Sequence, residues 1–508
     1  MYADIIIKNG RCVTMCGDGG ADWVAAAGKM ICATGRGDDW QKLVRPGTQV
    51  IDARGGTVLP GFIDNHFHVM QTAVNMMSVD LGGARSHREL GEMLAAAEKR
   101  EGAVLGCQVE ESQFEEKRFP DRYVLDKYCS DSPVVLFSKE YHVSMLNTHA
   151  LLYYKVPFSL EGVELDSSGL PTGIFRRNAN YVLRSNVLRS LPDEFRMEAI
   201  HLAMSRLLEN GITTVAAIEG GWLFDDRDAE FIYAHSGEFP VDMPLFYQTM
   251  DLAKVWKLGL RRVGGNIMVD GTLSSHSAAL SAPYADRPDY RGQIFLPQDG
   301  LDEFVQQCYR QDMQLALYSI GDRAIESVLL AHERAIRQGG STALRHRIEH
   351  AIMATPEQIA RAADMKLIFS VQPAYAYLWG GKDGMYERRV GERYLRSNNF
   401  AAMFAAGAVV CGGSDSDVTE PRPMLGIHAA VNRAVPQCAV SVEQAIEMYT
   451  VNGAYALFED KRKGKLAPGY LADIVVLDRD IRAVPAEQLE QTDVTVTIKS
   501  GSVLHSRQ

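Results

Sequence analysis

The chain has 508 residues, with 53 Lys plus Arg against 64 Asp plus Glu and a formal net charge of −11. At roughly 150 residues per domain this length predicts about three structural units, and a 46% apolar composition supplies ample material for buried cores. The acidic balance excludes broad binding to nucleic-acid backbones, which needs clustered positive charge, and the most apolar long stretch, residues 400–413, has 14 residues, short of the ~18–20 that span a bilayer.

The N-terminal MYADIIIKNG lacks the charged segment and apolar core of a signal peptide. Of the eight cysteines, only Cys12 and Cys16 lie close together, and no second pair joins them in a zinc framework. Buried, reduced thiols and a cytoplasmic location are the expectation.

In chain order, residues 3–8, 11–14, 22–27 and 49–52 read as short strands broken by Gly and Asp. The apolar run 57–63 leads straight into Asp64-Asn65-His66-Phe67-His68. Residues 76–210 hold strand-like segments at 103–107 and 134–137, several helical patterns and the loop DSSGLPTG at 166–173. They are predicted as an α/β insertion over a barrel mouth. Further apolar runs follow at 213–218, 245–250, 267–269, 314–318, 347–348, 367–371 and 408–411, with helical patterns such as 301–311, 324–338 and 356–363 between them. With 57–63 they make eight, and eight buried strands alternating with amphipathic helices predict an α/β fold of the (β/α)8 TIM-barrel type. Residues 472–478 and 493–505 return to the texture of the N-terminus, with Val494, Val496 and Ile498 in alternation. The predicted organisation is a β-sandwich from residues 1–55 and 465–508, a barrel from 56–75 and 211–464, and the insertion 76–210.

Barrel chemistry sits at the C-terminal ends of the strands. His66 and His68 stand there at i, i+2, a spacing that turns both side chains to one face of a strand. Two such imidazoles chelate a borderline-soft divalent ion such as zinc. His350 follows the sixth run, and Asp415 follows the eighth after Gly412-Gly413. Asp415 is read as a metal ligand that also takes a proton from an attacking water; capping the next helix is the plainer role for such an acid.

Several motifs recur together: PGFIDNHFH at 60–68, GLPTG at 169–173, GDRA at 321–324, HRIEH at 346–350, GGSD at 412–415 and KGKLAPGYLADIVVLD at 463–478. Tyr141-His142 with Asn147, Asp270-Gly271-Thr272 and Ala278-Ala279-Leu280 fall among them in order. On these motifs the chain resembles the amidohydrolase superfamily, and more narrowly its amidohydrolase-3 branch, which includes N-substituted formamide deformylases. The resemblance implies a metal-bearing barrel with a small sandwich made from both chain ends, and metal ligands at His66, His68, His350 and Asp415. It also implies a carboxylated lysine four residues before Asp270 and a histidine four residues before Asp322, where this sequence has Asn266 and Tyr318. Asn forms no carbamate, and a phenol with a pKa of about 10 is a poor zinc ligand beside imidazole. A single zinc, or another divalent ion, with open positions for water and substrate is therefore expected.

Glu219, at the end of the second run, is a candidate further ligand, against the plainer role of a paired loop acid. Tyr318 is a candidate hydrogen-bond donor to a developing oxyanion. His142, in the insertion, is a candidate for orienting the substrate, and His276 for contacting it. Arg176, followed by Arg177, is a candidate receptor for an anionic group, with a solvated pair as the plainer alternative. Tyr375, Tyr377 and Trp379 alternate after the seventh run and are read as an aromatic pocket wall. The expected activity is hydrolysis of an amide or other C–N bond of a small molecule, in a protein with a homodimer as the family-level expectation. Carbon–carbon cleavage or elimination on a rearranged site, and a non-catalytic binding barrel, are the alternatives.

Overall fold

The computed structural model describes residues 2–17, 20–139, 141–221 and 224–507, in two compact units. The first unit takes Met1–Phe67, Met204–Ile218 and His235–Gln508. Its centre is an eight-stranded sheet: β1 (Phe62–Phe67), β2 (Ile212–Glu219), β3 (Leu245–Tyr247), β4 (Arg262–Met268), β5 (Gln314–Ser319), β6 (Arg347–His350), β7 (Ile368–Val371) and β8 (Val410–Gly412). The spatial order follows the chain order. Pairing is parallel from β3 through β8 and between β1 and β2. A parallel bridge between Phe67 and Ser416 nearly closes the ring, and the Asp415 N–H donates to the His66 carbonyl across the same seam at 2.9 Å. Strands β1, β2 and β5 are buried at every residue, as a parallel sheet covered on both faces requires.

Two strand boundaries differ from expectation. The run 57–63 is two strands, because Thr57–Pro60 belongs to a terminal sheet and only Phe62 onward enters the barrel. The chain crosses at Gly61, whose N–H donates to the Asp473 carbonyl at 2.8 Å and where a Cβ would come within 2.4 Å of Thr213. Strand β4 begins at Arg262, ahead of the run at 267–269. Gly264 and Gly265, with φ of 91° and 103°, form a bulge against β5 and interrupt the apolar pattern.

Strands from the chain ends build two further sheets. One orders Met30–Gly35, Trp23–Ala27, Ile5–Lys8 and Gln49–Asp52; the other orders Arg11–Cys12, Thr57–Pro60, Ile474–Leu477, Val494–Lys499 and Ser502–Ser506. One apolar cluster draws on both, including Ile5, Val24, Val58, Ile474 and Ile498. The alternation expected in Val494–Lys499 is lost, since Thr497 and Lys499 are buried as well. Both faces are covered: the Thr497 hydroxyl donates to the Leu208 carbonyl at 2.7 Å, and Lys499 Nζ reaches Asp242 at 2.9 Å and Asp473 at 3.2 Å.

The second unit takes His68–Ala203 and Glu219–Ala234, so it begins earlier than the insertion predicted at 76–210 and also includes the segment after β2. Its six-stranded sheet orders Val163–Leu165, Pro171–Arg176, Val143–Leu146, Val134–Ser138, Val104–Val109 and Val79–Asp80. Helix α1 (Val69–Met77) packs on Val104–Val109, which explains the earlier start. Many helices open on a side chain that accepts a first-turn N–H, among them Ser86, Asn147, Thr355 and Ser441. Six cysteines are buried, but Cys32 is half-buried and Cys16 exposed, against the expectation of uniform burial. Among the described residues no helix is long and apolar enough to cross a membrane.

Candidate metal centre

His66 lies near the end of β1 with no exposed surface. Its Nδ1 is 2.7 Å from Glu349 Oε2, and Glu349 is itself clasped by Arg347, whose Nε and Nη2 donate at 2.7 and 2.9 Å. The Arg347 guanidinium, with help from His66, overcomes the cost of burial and holds the Glu349 carboxyl down at about 2. An ionised carboxylate only accepts, so His66 carries its proton on Nδ1 and turns Nε2 the other way. That nitrogen stands 3.4 Å from Asp415 Oδ1. His66, His68 and Asp415 are all buried, and each offers a ligand atom within 4.8 Å of the others'. Among the described residues no other group of three or more His, Cys, Asp or Glu side chains meets that spacing.

The loop after β8 is shaped around this cluster. A Cβ on Gly413 would lie 2.6 Å from the backbone nitrogen of His66, so only glycine allows the loop so close. Asp64 Oδ1 accepts the His66 N–H at 3.2 Å and the Ser414 N–H at 3.0 Å. Asp415 has a left-handed backbone, φ 52°, a strained conformation of the kind that recurs at functional sites. Its Oδ2 accepts the Tyr375 hydroxyl at 2.6 Å, which leaves Oδ1 on the His66 side.

His350, at the end of β6, adjoins the cluster with its ring 5.0 Å from that of His66. Its Nδ1 donates to Gln372 Oε1 at 2.6 Å, and its Nε2 is buried without a hydrogen-bond partner. Burial lowers its pKa to about 4 against the pull of Asp415, which keeps the ring neutral. The Tyr318 ring meets it edge-on at 4.4 Å. Asn266 sits in the β4 bulge, half-buried, with Oδ1 buried and unpartnered.

Two imidazoles and a carboxylate, converging in a buried site and backed by a carboxylate on the far nitrogen of one ring, are the donor set that divalent ions take. The residues fit such an ion.

The other sequence candidates are dispersed. Glu219 lies outside the three-residue cluster and caps α1 instead: its Oε1 accepts the N–H groups of Val69 and of Met70, the latter at 3.3 Å. Burial pushes its carboxyl up to about 8, with Asp228 adding to the rise and His68 opposing it. His142, in the second unit, is lowered to about 4 by burial and by Arg184. Arg176 is half-buried, with its guanidinium 5.6 Å from the Phe119 ring and 3.9 Å from Glu164. His276 Nε2 is 3.0 Å from Asp286, which also pairs with Arg389. The aromatic wall is corrected: Tyr375, Tyr377 and Trp379 lie on helix α2 (Pro373–Trp379), where alternate residues diverge. Tyr375 and Trp379, four apart, meet at 4.7 Å, whereas Tyr377 packs on His428 and is 43% exposed.

Glu349, Arg347 and Gln372 are not among the residues that the sequence singles out, and Tyr375, expected to line the substrate pocket, instead bonds Asp415. A signal for the first two existed. Opposite charges at i, i+2 in an apolar strand share a face and must be buried as a pair.

The profile of the amidohydrolase family (Amidohydro_3) matches residues 49–505. The chain is similar to the N-substituted formamide deformylase of Arthrobacter pascens, 26% identical with 96% of this chain and 95% of that one covered. It is likewise similar to the protein LONG AFTER FAR-RED 3 of Arabidopsis thaliana, 27% identical over 94% and 87% of the two chains. Among solved structures, an uncharacterized metal-dependent hydrolase from Pyrococcus furiosus superposes with a TM-score of 0.78 at 26% identity, covering 94% of this chain and 99% of that one. The chain belongs to the amidohydrolase family.

Proposed function

We propose that the protein is a metal-dependent hydrolase of an amide or other C–N bond in a small molecule, working with one divalent ion, zinc, held by His66, His68 and Asp415. The observation that carries this reading is the buried convergence of those three side chains within 4.8 Å, with His66 oriented by Glu349. The likeness to a deformylase and to a metal-dependent hydrolase supports hydrolysis of a C–N bond. A single ion is favoured because Asn266 and Tyr318 stand where the resemblance calls for a carboxylated lysine and a histidine, leaving His350 alone on that side.

Held by His66, His68 and Asp415, a divalent ion would supply a water of lowered pKa, near about 7, and polarisation of a carbonyl. Asp415 takes the proton from the attacking water and delivers it to the leaving nitrogen. Tyr375, bonded to Oδ2, fixes the rotamer of Asp415 during that transfer. Tyr318, buried beside His350, keeps its proton and donates a hydrogen bond from its hydroxyl to the oxyanion that develops on the substrate carbonyl.

Elemental analysis of protein purified without added metal tests this reading, with a His66→Ala/His68→Ala double variant as control. About one equivalent, absent from the control, is expected, together with incorporation of solvent oxygen into the product of any N-acyl or N-formyl amine that turns over. Protein that takes up no metal even on reconstitution would sink the hydrolytic reading.

A further inference from the structure

We propose that Glu219 is a positioning residue for the metal centre: its side chain serves as the backbone acceptor that holds the start of α1, and so sets where the His68 imidazole stands. The inference rests on the proposed centre at His66, His68 and Asp415.

His68 occupies the N-cap of α1 with an extended backbone, φ −98° and ψ 92°, and its side chain makes no cap hydrogen bond. The first N–H groups of any helix lack acceptors within the helix; at Ser86, Asn147 and Thr355 the N-cap side chain meets them, whereas other helices, such as those after Gly321 and Gln372, have no such cap. An imidazole committed to a metal cluster has no oxygen to offer. Here an acid from another part of the barrel does that work. Glu219, the last residue of β2 and 150 positions away, places Oε1 on the N–H groups of Val69 and Met70, the two residues directly after His68. The same segment touches His68 again through Phe224, whose ring lies 4.7 Å from the imidazole. His68 is thus held through its following backbone and through its ring.

The rest of the side chain has no competing employment. Glu219 has no exposed surface, and its Oε2 is buried without a hydrogen-bond partner. Asp228, whose charge acts on Glu219, is itself paired with the buried guanidinium of Arg196. A buried carboxyl kept half-satisfied is costly, and holding α1 in register behind a ligand gives that cost a function. Glu219 is not one of the cluster whose ligand atoms converge, which separates this role from direct ligation.

Full-length Glu219→Ala and Glu219→Gln proteins test the proposal by two readouts. The first is zinc affinity, measured by titration of metal-free protein against a competing chelator. The second is hydrogen exchange across residues 66–77 in the metal-free state. The amide oxygen of Gln still accepts both N–H bonds, so Glu219→Gln is expected to retain zinc affinity and protection. Glu219→Ala is expected to bind zinc about 10–100-fold more weakly and to exchange faster at Val69 and Met70. If Glu219→Ala does not fold, Glu219→Met fills the volume without an acceptor and takes its place.

A Glu219→Gln protein that loses zinc as completely as Glu219→Ala would overturn the proposal, since the charge or a direct ligand bond would then be what matters. So would a Glu219→Ala protein with lowered Tm but parental affinity, or one with parental exchange at the start of α1. Parent protein that takes up no zinc would fail the proposed function itself, a result distinct from a loss confined to the variants. The exchange measurement, made without metal, then still decides whether Glu219 holds the helix.

Discussion

His66 and His350 stand at the ends of β1 and β6 with their rings 5.0 Å apart, and they differ in what backs them. Each is buried and each has its Nδ1 tied to an oxygen. For His66 the oxygen belongs to Glu349, ionised and clasped by Arg347; for His350 it belongs to the neutral amide of Gln372. A carboxylate behind an imidazole raises its basicity and offsets the charge of a bound cation, whereas an amide only orients the ring. The neighbours follow the same division. His66 is joined by His68 and Asp415, while His350 has the phenol of Tyr318. The two histidines thus differ in backing, a carboxylate behind one and an amide behind the other.

The comparison is easiest to break by removing ligands. His66→Ala with His68→Ala is expected to abolish metal uptake and reduce turnover to background, while His350→Ala keeps about one equivalent by elemental analysis. Equal loss in both would erase the distinction. The converse is a gain: Asn266→Lys combined with Tyr318→His, which supplies the two missing ligand types, is expected to raise the stoichiometry toward two.

Glu349→Gln attacks the backing of His66. It leaves the Arg347 guanidinium buried without its counter-charge, at a cost of about 3–5 kcal/mol in chemical denaturation, and weakens metal binding by about 10–100-fold. Gln372→Leu is expected to leave the first equivalent in place, because His350 is not needed to hold it. A smaller effect belongs to Tyr375→Phe, which deletes the 2.6 Å bond to Asp415 Oδ2. Hydrogen bonds to charged groups contribute about 1.5–3 kcal/mol, so a roughly ten- to hundredfold fall in kcat is expected with unchanged metal content. Metal loss in that variant would show that Tyr375 holds the ligand rather than its rotamer.

Histidines buried with no acid beside them sharpen the contrast at low pH. His332 bonds the Tyr309 hydroxyl at 3.0 Å, and burial lowers its pKa to about 3. Its unfolded form binds a proton below about 6.5 while the folded form does not. The stability linked to it is therefore present above pH 6.5 and is lost as pH falls toward 3. At pH 5 this amounts to about 2 kcal/mol. His332→Gln is expected to shrink the drop in denaturation free energy between pH 7.5 and pH 5 by up to that amount, and an unchanged drop would show that the imidazole takes up its proton inside the fold.

Local pattern was enough to find the three side chains that converge. His66 and His68 follow from period-two geometry at the end of a buried run, and Asp415 from an acid after two glycines at another strand end. The eight runs announced the barrel, and the ordered motifs announced the family. What the pattern misjudged is equally specific. Alternation in Tyr375, Tyr377 and Trp379 was read with the period of a strand, but Pro373 opens a helix there, and only Tyr375 reaches Asp415. The glycine bulge of β4 hid the start of that strand.

The partners of the ligands were decided by tertiary structure alone. Glu349 meets His66 from 283 positions away, and Glu219 reaches the start of α1 from 150. Neither pairing leaves a trace in spacing, because each depends on which strands the barrel brings side by side. Sequence period determines which way a side chain faces along its own strand or helix; what it faces is determined by closure of the ring, where the loop after β8 crosses His66 at a distance that only Gly413 permits.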